Sequence, residues 1–254
     1  MENERLYIIK GKIILKYLLT YLILTTGITF LAACKGHNEN KPQIIKHKDS
    51  ISASLQSSYI EVKYNIKSRR IALSKKYKHP LSPSDISALQ KDFTSMVVDS
   101  IFPYWYGTPW DFNGTTQKPG EGSIACGYFI TTILQDAGLP IQRVKLAQCA
   151  SQQIIADVVR KNHKKIFSNA TMDKFLSYIK EQGYGLYIVG LDFHVGFLYN
   201  DGNEIHFIHA KWINPKAVVK EVASVSGVLE HSAYKIVGKI SDDELFLDRW
   251  LHGK

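Results

Sequence analysis

The stretch that decides the fold runs from Asp192 to Ala210 and reads DFHVGFLYNDGNEIHFIHA. It predicts a β-hairpin, because two runs of apolar and aromatic residues flank Asp201-Gly202. This dipeptide supplies the two positive-φ positions of a tight type I′ turn. With that turn as the loop, Asn200 pairs with Asn203, and the register of both strands follows from this pair.

The predicted register brings two histidines together. His194 lies directly opposite His209, and directly opposed side chains share a face with Cβ atoms about 5 Å apart. His206 falls on the other face, since side chains alternate along a strand. A half-buried pair of strands with incidental histidines is the alternative, but two adjacent imidazoles suit a base and its orienting partner. Such a pair requires a nucleophile from elsewhere in the chain.

Cys126 is the candidate nucleophile. It follows Ser123-Ile124-Ala125 and precedes an apolar stripe that predicts a helix ending at Gly138. In the first turn of a helix, the dipole and the free N–H groups stabilise a thiolate. Gly127 beside it leaves room for the backbone of a substrate. An inert buried cysteine is the alternative, and the position after a glycine-rich loop favours catalysis.

The loop from Pro103 to Gly122 carries aromatic residues among Gly, Pro, Asn and Thr and fits no regular period. Aromatic residues on an irregular loop often line a binding cleft, and packing beneath a long loop is an equally weighted alternative. Tyr106 and Trp110 are the predicted contacts to a substrate. The Tyr106 hydroxyl is also a predicted donor to an oxyanion.

Other patterns predict a mixed α+β domain. Ser82-Pro83-Ser84-Asp85 has the capping side chain and the early proline of a helix start. Apolar residues spaced by three and four then continue to Ile101, as on one face of a helix. The remaining predicted elements are helices at 151–159 and 171–179 and strands at 59–66, 186–191 and 234–240.

Residues 1–33 predict a signal peptide. Basic residues precede an apolar run from Tyr17 to Phe30 that is short for a membrane span. The run ends in Leu31-Ala32-Ala33-Cys34, which resembles a bacterial lipobox. Cleavage before Cys34 leaves a thiol that carries lipid and holds a domain at a membrane without spanning it. An ordinary signal peptide with a chance cysteine is the alternative.

The chain therefore divides into three segments. Its 254 residues, 45% hydrophobic and 22% charged, fit one globular domain with appendages. The predicted segments are the signal peptide 1–33, a polar flexible tether 34–58, and a single α+β domain 59–254 with an N-terminal helical part (59–102) and a core (103–254).

The chain is basic, with a formal net charge of +9. Loss of residues 1–33 removes four basic and two acidic residues and leaves about +7. This charge suits an anionic cell envelope, although a solvated basic surface is a sufficient explanation. The charges are scattered without a zinc-finger, helix-turn-helix or RNP pattern, so no nucleic-acid partner is expected. We expect a monomer.

The order of these motifs resembles that of the NlpC-type papain-like hydrolases of bacterial cell walls. The resemblance covers roughly residues 104–210. It rests on Tyr106-Gly107, Cys126-Gly127-Tyr128, His194-Val195-Gly196 and Ile208-His209-Ala210. It implies a papain-like core, in which the helix that carries the cysteine packs on an antiparallel sheet that carries the histidines.

The same resemblance implies an activity. The chain would be an envelope-anchored cysteine hydrolase of amide bonds in peptidoglycan stem peptides, working without a cofactor. Cys126 would be the nucleophile, His194 the base and His209 its orienting partner. The family usually has Asp-Cys-Ser-Gly at the nucleophile. Here Ala125 and Gly127 replace the Asp and Ser that help to recognise the stem peptide, so the substrate stays open.

Other interpretations remain. The chain could be a binding lipoprotein of the same fold, or a Cys-His acyltransferase that passes the acyl group to an amine. Cys126 and Cys149 could oxidise to a disulfide, which would consume the nucleophile. No metal site is predicted, because His206 points away from His194 and His209 and a zinc site needs convergent ligands.

Overall fold

The structure is a computed structural model that describes residues 42–253, with side chains described from residue 53 onward. The predicted signal peptide, the predicted lipidation site Cys34 and the first residues of the predicted tether lie outside the described residues. The residues from Ile44 onward form a single unit. Within the part that is described, no helix is both long and apolar enough to span a membrane.

A long helix, α1 (Pro42–Lys76), occupies most of the predicted tether and all of the predicted strand at 59–66. Both predictions are wrong for these residues. Tyr59 and Ile66 are buried and Leu73 is partly buried against the same core cluster. Their seven-residue spacing returns each side chain to one face of a helix, which a strand pattern cannot do.

The predicted helix start at Ser82 is confirmed. Its side chain accepts a hydrogen bond from the Asp85 amide, and the Asp85 carboxylate accepts one from the Ser82 amide, which forms a capping box on α2 (Pro83–Ser95). A π-helical turn (Met96–Ile101) and the short helix α3 (Phe102–Trp105) continue the chain. The buried residues of this segment include Leu89, Phe93, Val97, Ile101 and Trp105.

Helix α4 (Cys126–Asp136) begins at the candidate nucleophile. The chain leaves it at Gly138, whose φ of 101° is the left-handed conformation expected of a glycine stop. Phe129 of α4 packs edge-on against Phe197 of the predicted hairpin, with ring centroids 6.0 Å apart. Two further helices follow, α5 (Arg143–Ala147) and α6 (Ser151–Val158).

The sheet has six antiparallel strands in the order β1-β6-β2-β3-β4-β5. With the helices, it confirms the mixed α+β class. The strand patterns at 186–191 and 234–240 are also confirmed, whereas β1 and β5 were not predicted. The strands are β1 (Lys164–Ser168), β2 (Gly185–Leu191), β3 (Val195–Asn200), β4 (Ile205–Ala210), β5 (Val218–Val222) and β6 (Tyr234–Lys239).

Both faces of the sheet are covered. The cluster on one face joins Phe197 and Ile208 to α1–α4, α6 and the C-terminal helix α9 (Glu244–His252). The cluster on the other face joins Leu198 and Phe207 to α7 (Met172–Glu181) and the short α8 (Gly227–Glu230). Strands buried on both faces carry apolar residues at successive positions, which the sequence of β3 shows.

The predicted hairpin is present, but its register differs by two residues. Asn200 pairs with Ile205, so that the loop runs from Asp201 to Glu204. The Asp201 carboxylate accepts hydrogen bonds from the amides of Asn203 and Glu204 at 2.8 and 2.7 Å, which stabilises the wider loop. A shift of two residues leaves every side chain on its predicted face, because side chains alternate with period two.

Candidate active site

A cleft of about 770 Å³ lies beside the N-terminus of α4. Its walls include Cys126 and His194, together with Trp110 and Gly127. The volume falls within the roughly 300–1,000 Å³ typical of sites for small molecules. Four of the six residues predicted to act on a substrate therefore line one cavity.

The thiol of Cys126 is protonated at neutral pH. Burial raises its pKa, and backbone N–H groups of Val195, Gly127 and Cys126 itself lower it by less. Desolvation therefore opposes the predicted helix-stabilised thiolate. Val195, whose backbone N–H contacts the thiol, is the residue that follows His194 in the sequence.

The N-terminus of α4 is left open towards the cleft. Its N-cap is Ala125, which has no side-chain acceptor and makes no capping hydrogen bond. Ala125, Cys126 and Gly127 all line the cleft. The Ala125 amide donates to the carbonyl oxygen of Gly114 at 2.9 Å. First-turn N–H groups have no partner within a helix, so the amides of Cys126 and Gly127 are available to an anionic oxygen of a substrate.

The two predicted histidines are in direct contact. His194 Nε2 and His209 Nδ1 lie 2.8 Å apart, and His209 Nε2 lies 3.2 Å from Glu221 Oε1. In the observed register His209 is diagonal to His194 rather than directly opposite. Both rings are buried. The predicted contact between these side chains is therefore present, although the predicted register is wrong.

Glu221 anchors this chain of hydrogen bonds. Burial raises its pKa, but hydrogen bonds with His209, Lys211 and Ser226 lower it further, to about 2. Lys211 Nζ donates to Oε2 at 2.6 Å and Ser226 Oγ donates to Oε1 at 2.5 Å. The carboxylate is therefore ionised and can only accept hydrogen bonds.

The ionised carboxylate assigns the tautomers of both rings. His209 donates from Nε2 to Glu221, so its Nδ1 accepts the hydrogen bond that His194 donates from Nε2. The lone pair of neutral His194 is then on Nδ1. Among residues 42–253, the hydrogen bond of the His194 side chain is at Nε2 alone. Nδ1 is therefore the nitrogen that can accept a proton.

Both histidines are neutral at pH 7. Burial, and next the neighbouring His209, lower the pKa of His194 well below its usual value, and Glu221 opposes them weakly. Burial also lowers the pKa of His209, against the hydrogen bond and charge of Glu221. The site thus holds a neutral thiol and a neutral imidazole, and no hydrogen bond joins them in the described chain.

Gly196 leaves room for the stacked rings of Phe207 and His209. A Cβ atom at this position would lie 2.4 Å from Cε2 of Phe207 and 3.0 Å from Cβ of His209. The space is filled by the Phe207 and His209 rings, which stack with centroids 4.0 Å apart. The glycine of the His194-Val195-Gly196 motif is therefore explained by packing across the hairpin.

Gly127 has a different role from the predicted one. A Cβ atom here would lie 2.3 Å from the carbonyl oxygen of Ala147, at the end of α5. The space on the Cβ side of Gly127 is thus filled by backbone, although the residue also borders the cleft. Close packing of α5 on α4 therefore favours glycine at this position.

Some aromatic residues of the 103–122 loop line the cleft and others pack in the core. Trp110 and the exposed Phe112 line the cleft, whereas Trp105 is buried in the core. Tyr106 does not line the cleft, and partial burial and the charge of Asp99 raise its pKa to about 12. The position of Tyr106 gives no support to its predicted role as an oxyanion donor.

Arg143, which the sequence did not single out, holds this loop against α4. Its buried guanidinium donates to Thr132 Oγ1 at 2.7 Å and to the carbonyl oxygens of Thr115 and Thr116 at 2.8 and 3.0 Å. The loop that forms one wall of the cleft is therefore fixed to the helix that carries Cys126.

Cys149 and His206 lie apart from the histidine pair. Cys126 and Cys149 are both free, and the Cys149 thiol donates to the Lys145 carbonyl oxygen at 3.3 Å. His206 is on the other face, as predicted, with Nε2 3.3 Å from the Asp201 carboxylate. Within residues 42–253, no group of three or more His, Cys, Asp and Glu side chains is arranged to hold a metal ion.

Comparisons of this chain with protein-family models, with curated proteins and with solved structures found no match.

Proposed function

We propose that this chain is a papain-like cysteine hydrolase of amide bonds. One observation carries the proposal: Cys126 and His194 line the same cleft, and His194 is held through His209 by the carboxylate of Glu221. A nucleophile, a base and a group that orients the base are the parts that covalent acyl transfer requires.

The first half of the reaction forms an acyl-enzyme. Sγ of Cys126 attacks the carbonyl carbon of the amide while Nδ1 of His194 takes the thiol proton. The oxyanion accepts hydrogen bonds from the open first-turn amides of α4. His194 then gives the proton to the amide nitrogen, the C–N bond breaks, and the amine leaves a thioester on Cys126.

The second half regenerates the enzyme. His194 takes a proton from water, the hydroxide oxygen attacks the thioester carbonyl, and the C–S bond breaks to give a carboxylic acid. The proton returns to the Cys126 sulfur. The imidazolium that forms twice in this cycle is stabilised by the hydrogen bonds that lead through His209 to Glu221. The carboxylate of Glu221 is ionised before the reaction begins.

The proposed substrate is a peptide of the cell envelope, with peptidoglycan stem peptides as the first to test. The resemblance to NlpC-type hydrolases, the lipobox-like segment ending at Cys34 and the basic charge support this choice. In this proposal the lipid on Cys34 keeps the domain at the bacterial membrane.

The test is digestion of purified peptidoglycan, followed by mass spectrometry of the soluble fragments. We expect new pairs of amino and carboxyl ends in the stem peptides, and alkylation of Cys126 by a chloroacetamide probe. Cys149→Ala is the matched control and should retain both results. A digest with no new ends, together with an unlabelled Cys126, would contradict the hydrolase.

The same outcome would favour a second function, a non-catalytic peptide-binding protein. This alternative is supported by the raised pKa of Cys126 and by the absence, within residues 42–253, of a hydrogen bond from its thiol to His194. A raised pKa of Cys126 is compatible with a hydrolase, because a base can accept the thiol proton during attack. Catalytic hydrogen bonds also often form only when the substrate is bound.

Replacement of Glu221 by glutamine should lower kcat by roughly 10- to 100-fold, because the imidazolium of His194 loses its fixed counter-charge. The negative charge of Glu221 raises the pKa of both histidines. Removal of this charge lowers both pKa values further. Activity requires neutral His194 and falls as the pH drops through its pKa, below the usual 6.5, so the acid limb of the pH profile should move to lower pH.

The control for this variant is Glu204→Gln at the tip of the β3–β4 hairpin, where the carboxylate is 3.7 Å from His206. Its pH profile should match that of the unmodified protein. If Glu221 only supports the fold, Glu221→Gln would lower the rate and leave the acid limb in place. An unchanged rate and limb would remove Glu221 from the mechanism.

A further inference from the structure

A second cavity of about 470 Å³ borders the cleft. Phe193, His194 and Trp212 line both cavities. The rings of His194 and Trp212 are in contact, with centroids 4.7 Å apart. We call this cavity the side chamber; its apolar wall consists of Leu191, Phe193, Trp212, Ile213 and Val228.

The polar groups at the margin of the side chamber are partly engaged by neighbouring groups. The Asp192 carboxylate accepts hydrogen bonds from Ser232 Oγ at 3.0 Å and from the amides of Ala233 and Tyr234 at 2.7 and 3.3 Å. His231 Nδ1 lies 2.7 Å from the Gly227 carbonyl oxygen. The rest of the wall is apolar, so an apolar ligand would be buried there at little cost.

The position of the side chamber relates it to one part of the substrate. The amide nitrogen that leaves must lie within hydrogen-bond reach of the base that protonates it. His194 is that base in the proposed function, and it forms part of the chamber wall. A group attached to the leaving nitrogen can therefore extend past His194 into the chamber, while the acyl part stays beside Cys126.

We propose that the side chamber is the leaving-group subsite, and that the amine released from the substrate carries an aromatic or branched apolar side chain. Phe193 is 95% exposed and Ile213 is 46% exposed, and such a side chain would cover part of both. The inference rests on the proposed role of His194, and it favours an envelope peptide with an apolar residue after the scissile bond over a peptidoglycan stem peptide.

Binding to the Cys126→Ala protein tests the chamber without turnover. Phenylalaninamide and glycinamide stand for the two kinds of leaving amine, and NMR titration follows the indole signal of Trp212. We expect phenylalaninamide to bind at least about tenfold more tightly, as hydrophobic sites discriminate side chains by 10- to 200-fold. Equal affinity for the two amides would overturn the inference.

A matched pair of variants then tests the location. Ile213→Glu places a charge in the chamber wall, whereas Ile166→Glu makes the same change at a residue of β1 that is 50% exposed and outside the chamber. Ile213→Glu should remove most of the preference for phenylalaninamide, and Ile166→Glu should keep it. An equal loss in both variants would contradict the assignment.

Turnover separates this inference from the function on which it rests. Two peptide substrates with the same acyl part, one with phenylalanine and one with glycine on the leaving nitrogen, should differ about tenfold or more in kcat/KM. Hydrolysis of both at the same rate would overturn the subsite and leave the hydrolase. Binding of phenylalaninamide with no hydrolysis of either peptide would contradict the hydrolase and leave an apolar amine site.

Discussion

Replacement of Cys126 by alanine is expected to abolish amide hydrolysis, with a fall in kcat/KM of at least about 1,000-fold. The proposed mechanism places the acyl group on this sulfur, and among residues 53–253 the cleft has no second thiol, since Cys149 is not one of its lining residues. Cys126 is only partly buried at the start of α4, so alanine should leave the fold intact. Release of new amino ends from peptidoglycan or a peptide substrate measures the loss.

The control for this substitution is Cys149→Ala, which removes the other thiol of the described domain and should retain full activity. Thermal unfolding of both variants should match that of the unmodified protein, which separates loss of chemistry from loss of structure. Hydrolysis that persists in Cys126→Ala would end the nucleophile assignment. A matched loss in Cys149→Ala would point instead to a role for both thiols.

Replacement of Gly127 by serine, the residue that the NlpC-type pattern has here, is expected to destabilise the domain by about 1–3 kcal/mol, as overpacking in a filled interior does. The new Cβ atom would lie 2.3 Å from the carbonyl oxygen of Ala147, a backbone atom that cannot rotate away. Helix α5 must then move away from α4. Urea unfolding followed by circular dichroism measures the free-energy change.

Gly227→Ser is the matched control for this effect. Gly227 is also at the start of a helix, and the nearest atom to its added Cβ would be Nδ1 of His231 at 3.9 Å, an ordinary contact. Its unfolding midpoint should change little. A Gly127→Ser protein as stable as the unmodified one would show that α5 yields easily and that the glycine is not required for packing.

The candidate site could be predicted from the sequence to the extent that it depends on local patterns. Cys126 begins its helix because an apolar stripe follows it and Gly138 can adopt a positive φ. His194 and His209 share a face because both strands alternate. The turn was predicted too short, because the hydrogen bonds from Asn203 and Glu204 to Asp201 favour a wider loop.

Parts of the site that depend on long-range packing could not be predicted. Glu221 meets His209 and Lys211 only because β5 pairs with β4, and the short β5 segment has no clear strand pattern. The clash that requires Gly127 arises from Ala147, whose approach depends on how α5 folds back. No spacing in the sequence gives either contact.

The N-terminal helix was missed for a different reason. Its apolar residues are sparse, and most of its surface is polar, so the local pattern resembles a tether. The signal lies in a few wide spacings, such as that between Tyr59 and Ile66. Tertiary contacts supply the rest: the Tyr59 hydroxyl donates to Asp136 at 2.7 Å and accepts from Trp105 Nε1 at 2.8 Å.

The alternation of side chains along β3 and β4 restricts which lengths of the hairpin loop keep both imidazoles on one side. Lengthening the loop by two residues, as between the predicted and observed turns, returns both imidazoles to the same side of the ribbon. A single inserted or deleted residue turns one of them over, unless a bulge absorbs the change. Insertions or deletions at Asp201–Glu204 therefore keep the imidazole pair intact only when they change the loop by an even number of residues.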